Sequence, residues 1–136
     1  MTKPHTLQCR VYYEDTDAAG IIYHPNFLKF AERARTEALR AGGYDHHQVK
    51  AEFGLVIVVK LIEIDFKATG KLDDLLDVVT EVVAQGNTSL TMRQTISRGS
   101  TVLAVLKVVL VAITPEGRPS RWPPQLRQIF LPISNA

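Results

Sequence analysis

A chain of 136 residues, 46% apolar and 22% charged, has the size and composition expected of a single folded domain. The one cysteine, Cys9, has no partner for an internal disulfide or a structural zinc site, so stability must come from packing. The net charge of +2 is spread over interleaved Lys, Arg, Asp and Glu and offers no basic block for nucleic acid. Met1 to Arg10 lacks the apolar run of a secretory signal. The most apolar stretch, Thr101 to Thr114, carries Lys107 and falls short of the roughly 20 residues that cross a bilayer. The expectation is a cytoplasmic protein without a membrane span, folded as a single domain over 1–136.

Leu7, Cys9, Val11 and Tyr13 alternate with Gln8, Arg10 and Tyr12, the period of a half-buried strand. An acidic turn, Glu14-Asp15-Thr16-Asp17-Ala18-Ala19-Gly20, and the apolar Ile21-Ile22-Tyr23 follow. Pro25 suits the first helical position, whose amide proton has no intrahelical acceptor. Phe27, Phe30, Ala31, Ala34 and Ala38 recur every three or four residues, and the spacing predicts a helix over Pro25 to Ala41. Glu32 and Glu37 pair with Arg33, Thr36 and Arg40 on its solvent face. Gly42 and Gly43 end it. A turn over Tyr44 to Gln48 and a short helix over Val49 to Phe53 lead to Gly54.

Beyond Gly54 the period changes. Leu55 to Ala68, Leu75 to Gln85, Thr88 to Arg98 and Thr101 to Thr114 are rich in Val, Ile, Leu and Thr and read as four strands. Gly86-Asn87 and Gly99-Ser100 are the two-residue breaks of tight antiparallel hairpins. Loop chemistry returns at Pro115-Glu116-Gly117-Arg118-Pro119, and Trp122 to Phe130 reads as a short closing helix. The order is strand, long helix, then a four-stranded antiparallel meander, an α+β architecture. In the last strand Val102, Ala104, Leu106, Val108 and Leu110 form one apolar face and Leu103, Val105, Val109 and Val111 the other. One helix covers one face, so a second copy of the chain is predicted to cover the other, in a homo-oligomer.

Tyr12 to Phe27 gathers a carboxylate pair, Asp15 and Asp17, with Gly20, His24 and a helix start. Hydrolysis of an activated carbonyl needs a nucleophile or a base for water, and donors for the charge developing on oxygen. A helix N-terminus offers such donors, and Asp17 offers the carboxylate. Were the backbone extended here, Asp15 and Asp17 would point the same way and their titrations would couple. Coincident pH–rate profiles for the native chain and Asp15→Asn would reject that coupling. Taken alone, Asp15 and Asp17 read as turn residues, His24 as a cap or packing residue and Phe27 and Phe30 as core. Asp45, His46 and His47 suggest a metal, but adjacent side chains diverge and no third ligand is suitably spaced, so a polar turn is the better account. No glycine-rich phosphate loop is present.

The run Tyr12 to Arg35, with its Asp-x-Asp-x-x-Gly-Ile pattern, Tyr23-His24 and Glu32-Arg33-Ala34-Arg35, resembles the 4-hydroxybenzoyl-CoA thioesterase family, above all its YbgC-type acyl-CoA thioesterase branch. Lys71 to Val78 and Gly117-Arg118-Pro119 resemble the branch downstream. The resemblance implies a hotdog fold, a long central helix wrapped by an antiparallel five-stranded sheet, with active sites at a dimer interface and tetramers common. It implies hydrolysis of acyl-CoA, of short or medium chain length, with no cofactor and no metal. Asp17 matches the catalytic aspartate, as nucleophile or general base. Position 24, here His24, matches the residue whose backbone amide polarises the thioester carbonyl, and its imidazole is a second candidate for moving a proton. Tyr23, Phe27 and Phe30 are candidates for lining the acyl pocket, and Gly20 for close backbone approach to a ligand. Lys60, Lys67, Lys71, Arg93, Arg98 and Arg118 are candidate phosphate cations with no ground for choosing among them. The branch also implies association with Tol-Pal cell-envelope genes and with acyl carrier protein. Two other functions stay open: a dehydratase of 3-hydroxyacyl thioesters with His24 as base, and an interaction module with little turnover.

Overall fold

The computed structural model describes residues 3–132, and the outermost residues of the domain expected over 1–136 lie outside the described part. β1 (His5–Arg10) is followed by a 3-10 turn (Tyr13–Asp15), the long helix α1 (Asn26–Ala41), the short helix α2 (His46–Phe53), β2 (Val56–Phe66), β3 (Leu75–Gln85), β4 (Ser89–Arg98), β5 (Thr101–Ile113), the two-residue β6 (Pro119–Ser120) and α3 (Pro124–Ile129). The strands make one antiparallel sheet in the order β1-β3-β4-β5-β2, with β6 beside the end of β5. α1 packs over β1, β3 and β4, which is the hotdog arrangement. Among the described residues no helix is long and apolar enough to cross a membrane.

The helical period places Phe27, Phe30, Ala31, Ala34 and Ala38 on one buried stripe. The two-residue period of the strands turns Leu76, Val78, Met92, Ile96, Leu106 and Val108 toward it, all essentially buried. Each large side chain so buried contributes about 1.5–3 kcal/mol. One polar residue sits at the centre. Gln94, fully buried, donates to the Ala31 carbonyl and to Thr80 Oγ1 and accepts from Arg35 Nη1, each at 2.9 Å. A satisfied buried amide of this kind fixes the helix at one height on the sheet. At the helix end, a Cβ on Gly42 would lie 2.4 Å from Ile129 Cγ2, so α3 seats directly on the cap.

The structure departs from the sequence reading in four places. The meander is three-stranded: β3, β4 and β5 follow one another, but β2 pairs with β5 at the far edge, Val56 opposite Ile113 and Phe66 opposite Ala104. The segment 67–74 is too long for a tight hairpin and carries the chain across instead. The faces of β5 also change partners at one point. Ile96 and Ser97 pair with Ala104 and Val102, leaving Leu103 as a bulge. Leu103 therefore turns inward with Ala104, and Val102, read from alternation as sharing Ala104's face, is 38% exposed. β1 stops at Arg10 and Tyr13 is exposed in the 3-10 turn, not on the strand face with Val11. α2 starts at His46, because Asp45 Oδ1 accepts from the Gln48 amide at 2.7 Å while Gln48 Oε1 accepts from the Asp45 amide at 2.9 Å, a reciprocal cap that begins the helix three residues early.

Candidate active site

Between the 3-10 turn and α1 the chain makes a miniature hairpin. Thr16 pairs with Ile22, the Asp17 amide donates to the Ile21 carbonyl at 2.9 Å, and the Gly20 amide closes the turn on the Asp17 carbonyl at 3.0 Å. Gly20 takes φ +79°, and a Cβ there would meet nothing within 4 Å, so its requirement is the left-handed backbone of the turn. Asp17 is exposed at the tip, its Oδ1 accepting from the Ala19 amide at 2.9 Å. Segment 67–74 braces the returning arm: the Ile22 amide donates to the Gly70 carbonyl at 2.9 Å, and Ile21 bridges to Lys71. Asp74 holds that segment by accepting from the Lys71 amide at 2.8 Å and from Arg98 Nη1 at 3.0 Å.

Asp15 is not a companion of Asp17. Its backbone belongs to the 3-10 turn, and its side chain is 2% exposed, with Oδ2 accepting from the Tyr12 amide at 2.8 Å and Oδ1 from Asn26 Nδ2 at 2.9 Å. The extended backbone on which coupling of the two carboxylates depended is absent. Asp17 projects from the hairpin tip while Asp15 is folded under the helix start.

The helix entrance differs from a bare row of free amides. Asn26, Phe27 and Leu28 donate to the carbonyls of Tyr23, His24 and Pro25 at 2.8, 3.3 and 3.0 Å, Pro25 has no amide proton, and the Tyr23 amide donates to the Asp15 carbonyl at 2.8 Å. Among the described residues this leaves the His24 amide as the donor without a backbone acceptor at the entrance. It lies three residues along the returning arm from Ile21, which faces Asp17. The α1 dipole adds positive potential at this end.

Around His24 the aromatic residues meet edge to face. Tyr23 lies 5.2 Å from the His24 ring, Phe66 lies 6.0 Å from it, and Phe66 meets Phe27 at 5.7 Å. Tyr23, His24 and Phe66 are exposed, whereas Phe27 is 3% exposed and Phe30 fully buried, both within the hydrophobic core. Phe66 was missed in the sequence. It closes the Ile62-Ile64-Phe66 alternation on the inner face of β2, and that alternation is the signal that finds it. Beyond this cluster a groove of about 330 Å³ runs between α1 and β2, lined by Leu28, Leu39, Ile57, Val59 and Ile62 with Arg35 at its helix side. Burial pulls the Arg35 guanidinium below its ordinary pKa against the opposing field of Glu32, yet it stays charged at any working pH.

Comparison with known proteins identifies the family and the fold. The family model for the thioesterase superfamily matches residues 19–105. An acyl-CoA thioesterase YbgC of Haemophilus influenzae is 40% identical over 123 residues, 89% of this chain and 90% of its own. A crystal structure described as a "Probable Thioesterase" from Bartonella henselae superposes with a TM-score of 0.85 at 35% identity, covering 88% of this chain and 99% of that one. A mutant 4-hydroxybenzoyl CoA thioesterase complexed with 4-hydroxybenzoyl CoA shares the fold at a TM-score of 0.88 and 22% identity, over 95% of this chain and 99% of its own. With its sheet order, its wrapped helix and this match across most of its length, the chain belongs to the thioesterase superfamily and is a thioester hydrolase of the hotdog fold.

Proposed function

We propose that this protein hydrolyses short- to medium-chain acyl-CoA, with Asp17 as the catalytic carboxylate and the His24 amide as the donor to the thioester carbonyl. The observation that carries the reading is the combination at the hairpin: an exposed carboxylate at its tip and an unengaged amide at the start of α1. In the general-base form, Asp17 takes a proton from water as the water oxygen bonds to the carbonyl carbon, and the charge passing to the carbonyl oxygen is met by the His24 N–H. The tetrahedral species collapses, the carbon–sulfur bond breaks with its electron pair on sulfur, and the thiolate takes the proton held by Asp17, which restores the carboxylate. In the nucleophilic form, a carboxylate oxygen of Asp17 makes that first bond, the carbon–sulfur bond breaks with its electron pair on the departing thiolate, and water hydrolyses the resulting mixed anhydride to the free acid and the Asp17 carboxylate. The exposed Tyr23 and Phe66 and the buried Phe27 give the acyl group an apolar wall, and Gly20 shapes the turn that presents Asp17.

The groove beside α1 supports a modest acyl chain, since its volume is at the low end of the roughly 300–1,000 Å³ typical of small-ligand sites. β2 supports assembly. It is an eleven-residue edge strand, with Val56, Val59, Leu61 and Phe66 each at least 40% exposed, and a long apolar edge is a template for another strand. The dimer of this reading joins β2 to the β2 of a second copy and closes the groove. Tetramers then use the outer sheet face, where Val105 and Val109 flank the cross-strand row Glu81, Arg93, Lys107 and Glu63.

Free-thiol release across a panel of acyl-CoA esters, run beside Asp17→Asn, tests the reading. Because Asp17 is exposed, the variant folds normally, and turnover falls by about 10²–10⁴-fold. A near-native rate in Asp17→Asn rejects the assignment. Hydration of crotonyl-CoA without thiol release assigns a dehydratase instead, and the same acyl groups offered on acyl carrier protein decide between the two carriers.

A further inference from the structure

Asp15 poses a physical question that the reaction does not answer. A carboxylate 2% exposed gives up most of its hydration, a cost ordinarily offset by a cation. Among the described residues no Lys, Arg or His forms an ion pair with Asp15. Its side chain is instead held by two N–H donors, Tyr12 N at 2.8 Å and Asn26 Nδ2 at 2.9 Å, while its carbonyl accepts from the Tyr23 amide at 2.8 Å. Asn26 is itself 5% exposed and is the first residue of α1. One residue is thus tied to three places: the exit from β1, the residue preceding His24 and the first turn of the helix. Asp17 lies two residues further along the same backbone.

We propose that Asp15 and Asn26 are a positioning pair for thioester hydrolysis, which fixes the separation between the Asp17 carboxylate and the His24 amide. The inference rests on the assignment of those two groups to the reaction. Neither Asp15 nor Asn26 touches the substrate; both act through the loop and helix that carry the reacting groups. The Tyr23–Asp15 bond sets how far the returning arm stands from the outgoing one, and the Asn26–Asp15 bond sets where the helix starts relative to both. Side-chain bonds are needed here because a hairpin tip closed by one turn has little packing of its own to hold it. A carboxylate suits position 15 because both of its neighbours are donors and each of its two oxygens accepts from one of them. The asparagine amide is the complementary donor.

The test exchanges the partners. Asn26→Asp sets two carboxylates against each other and is expected to lower kcat by about 10- to 100-fold with KM unchanged, the scale of a reacting group displaced by a fraction of an ångström to one ångström. In the double variant Asp15→Asn/Asn26→Asp the bond is remade in reverse: the side-chain oxygen of the introduced asparagine accepts from Tyr12 N, its amide nitrogen donates to the new carboxylate, and kcat recovers. Measured well below the melting temperature of each variant, a merely structural role would lower stability without moving kcat. Should Asn26→Asp not fold, Asn26→Ala carries the same expectation of a lower kcat at constant KM. Native kcat in either single variant overturns the pair, as does a loss that the double variant does not restore. Asp17→Asn in parallel keeps the two claims apart: if it is inactive while Asn26→Asp is native, only the positioning pair fails, and if it turns over normally the underlying assignment fails.

Discussion

Gly20 and Gly70 flank the proposed reaction centre for different physical reasons. Gly20 has φ +79° and open space where a Cβ would point, whereas Gly70 is buried and its Cβ would lie 2.4 Å from Ile22 Cδ1 and 3.2 Å from both Ile22 Cγ1 and Leu103 Cδ1. Gly20→Ala therefore costs about 1–2 kcal/mol through backbone strain alone, and Gly70→Ala about 1–3 kcal/mol through overpacking. Urea unfolding separates them: adding Ile22→Val removes the Cδ1 atom and recovers part of the loss in Gly70→Ala but none in Gly20→Ala. At this scale the sequence was informative where the backbone geometry is local. Asp17 and His24 stood out because they cluster with a turn and a helix start, and Gly20 because a turn needs it. Asp15 misled, since alternation along an assumed extended backbone cannot register a 3-10 turn that rotates the side chain inward. Phe66 escaped because its partners His24 and Phe27 are some forty residues away in the chain, and no local period encodes that meeting.

Strand lengths were legible from composition because the β-branched runs are long and their ends are marked by Gly and Asn. β3 spans Leu75–Gln85 as read, and β4 and β5 begin or end within one residue of expectation. Pairing was legible only where a two-residue turn forces neighbours together. β2 has no such turn, and its place beside β5 depends on segment 67–74, which leaves β5 through the Lys67 and Ala68 amides, donating to the Leu103 carbonyl at 2.8 and 3.2 Å, and then crosses to the hairpin at Gly70 and Lys71. That segment has its own titratable anchor. Burial pushes the Asp74 carboxyl up, but hydrogen bonds from the Lys71 amide and Arg98 together with their charge outweigh it and hold its pKa below the ordinary value. A group that binds its proton more weakly when folded stabilises the native state above the unfolded carboxylate pKa, about 3.9, and loses that contribution as pH falls through the lower folded value. The partner pair is partly exposed, so the effect is small. Asp74→Asn is expected to lower the urea midpoint at pH 6 to 7, with the difference from the native midpoint shrinking as pH falls below the ordinary carboxylate range. A constant difference across that range would show that the carboxylate charge is not what anchors the segment.

The molecule as a whole presents a sheet with one edge closed differently from the other. At the β1 edge the strand is short, His5–Arg10, while at the β2 edge eleven residues run beside the open groove. The bulge at Lys60, where pairing shifts between Val59 and Leu61, divides that edge but leaves Leu61 to Phe66 as a continuous ladder. A charge at position 61 tests whether a second copy pairs there. Leu61 is 40% exposed on the protomer, and burying a leucine is worth about 1.5–3 kcal/mol. Only the exposed two-fifths of that side chain is left to bury, and a two-fold assembly counts it twice, so Leu61→Asp weakens association by about 1–2.5 kcal/mol, roughly 5- to 60-fold in the dissociation constant. Leu61 belongs neither to the hairpin that carries Asp17 nor to the lining of the groove, so its effect on turnover is expected to pass through assembly. Sedimentation at graded concentrations is expected to move Leu61→Asp from a dimer or tetramer toward the 15.2 kDa protomer, with thiol release falling over the same concentration range. Full activity in a protomer shown to be monomeric would mean that the acyl groove needs no second copy to close it, and unchanged assembly would mean that the β2 edge is not where copies meet.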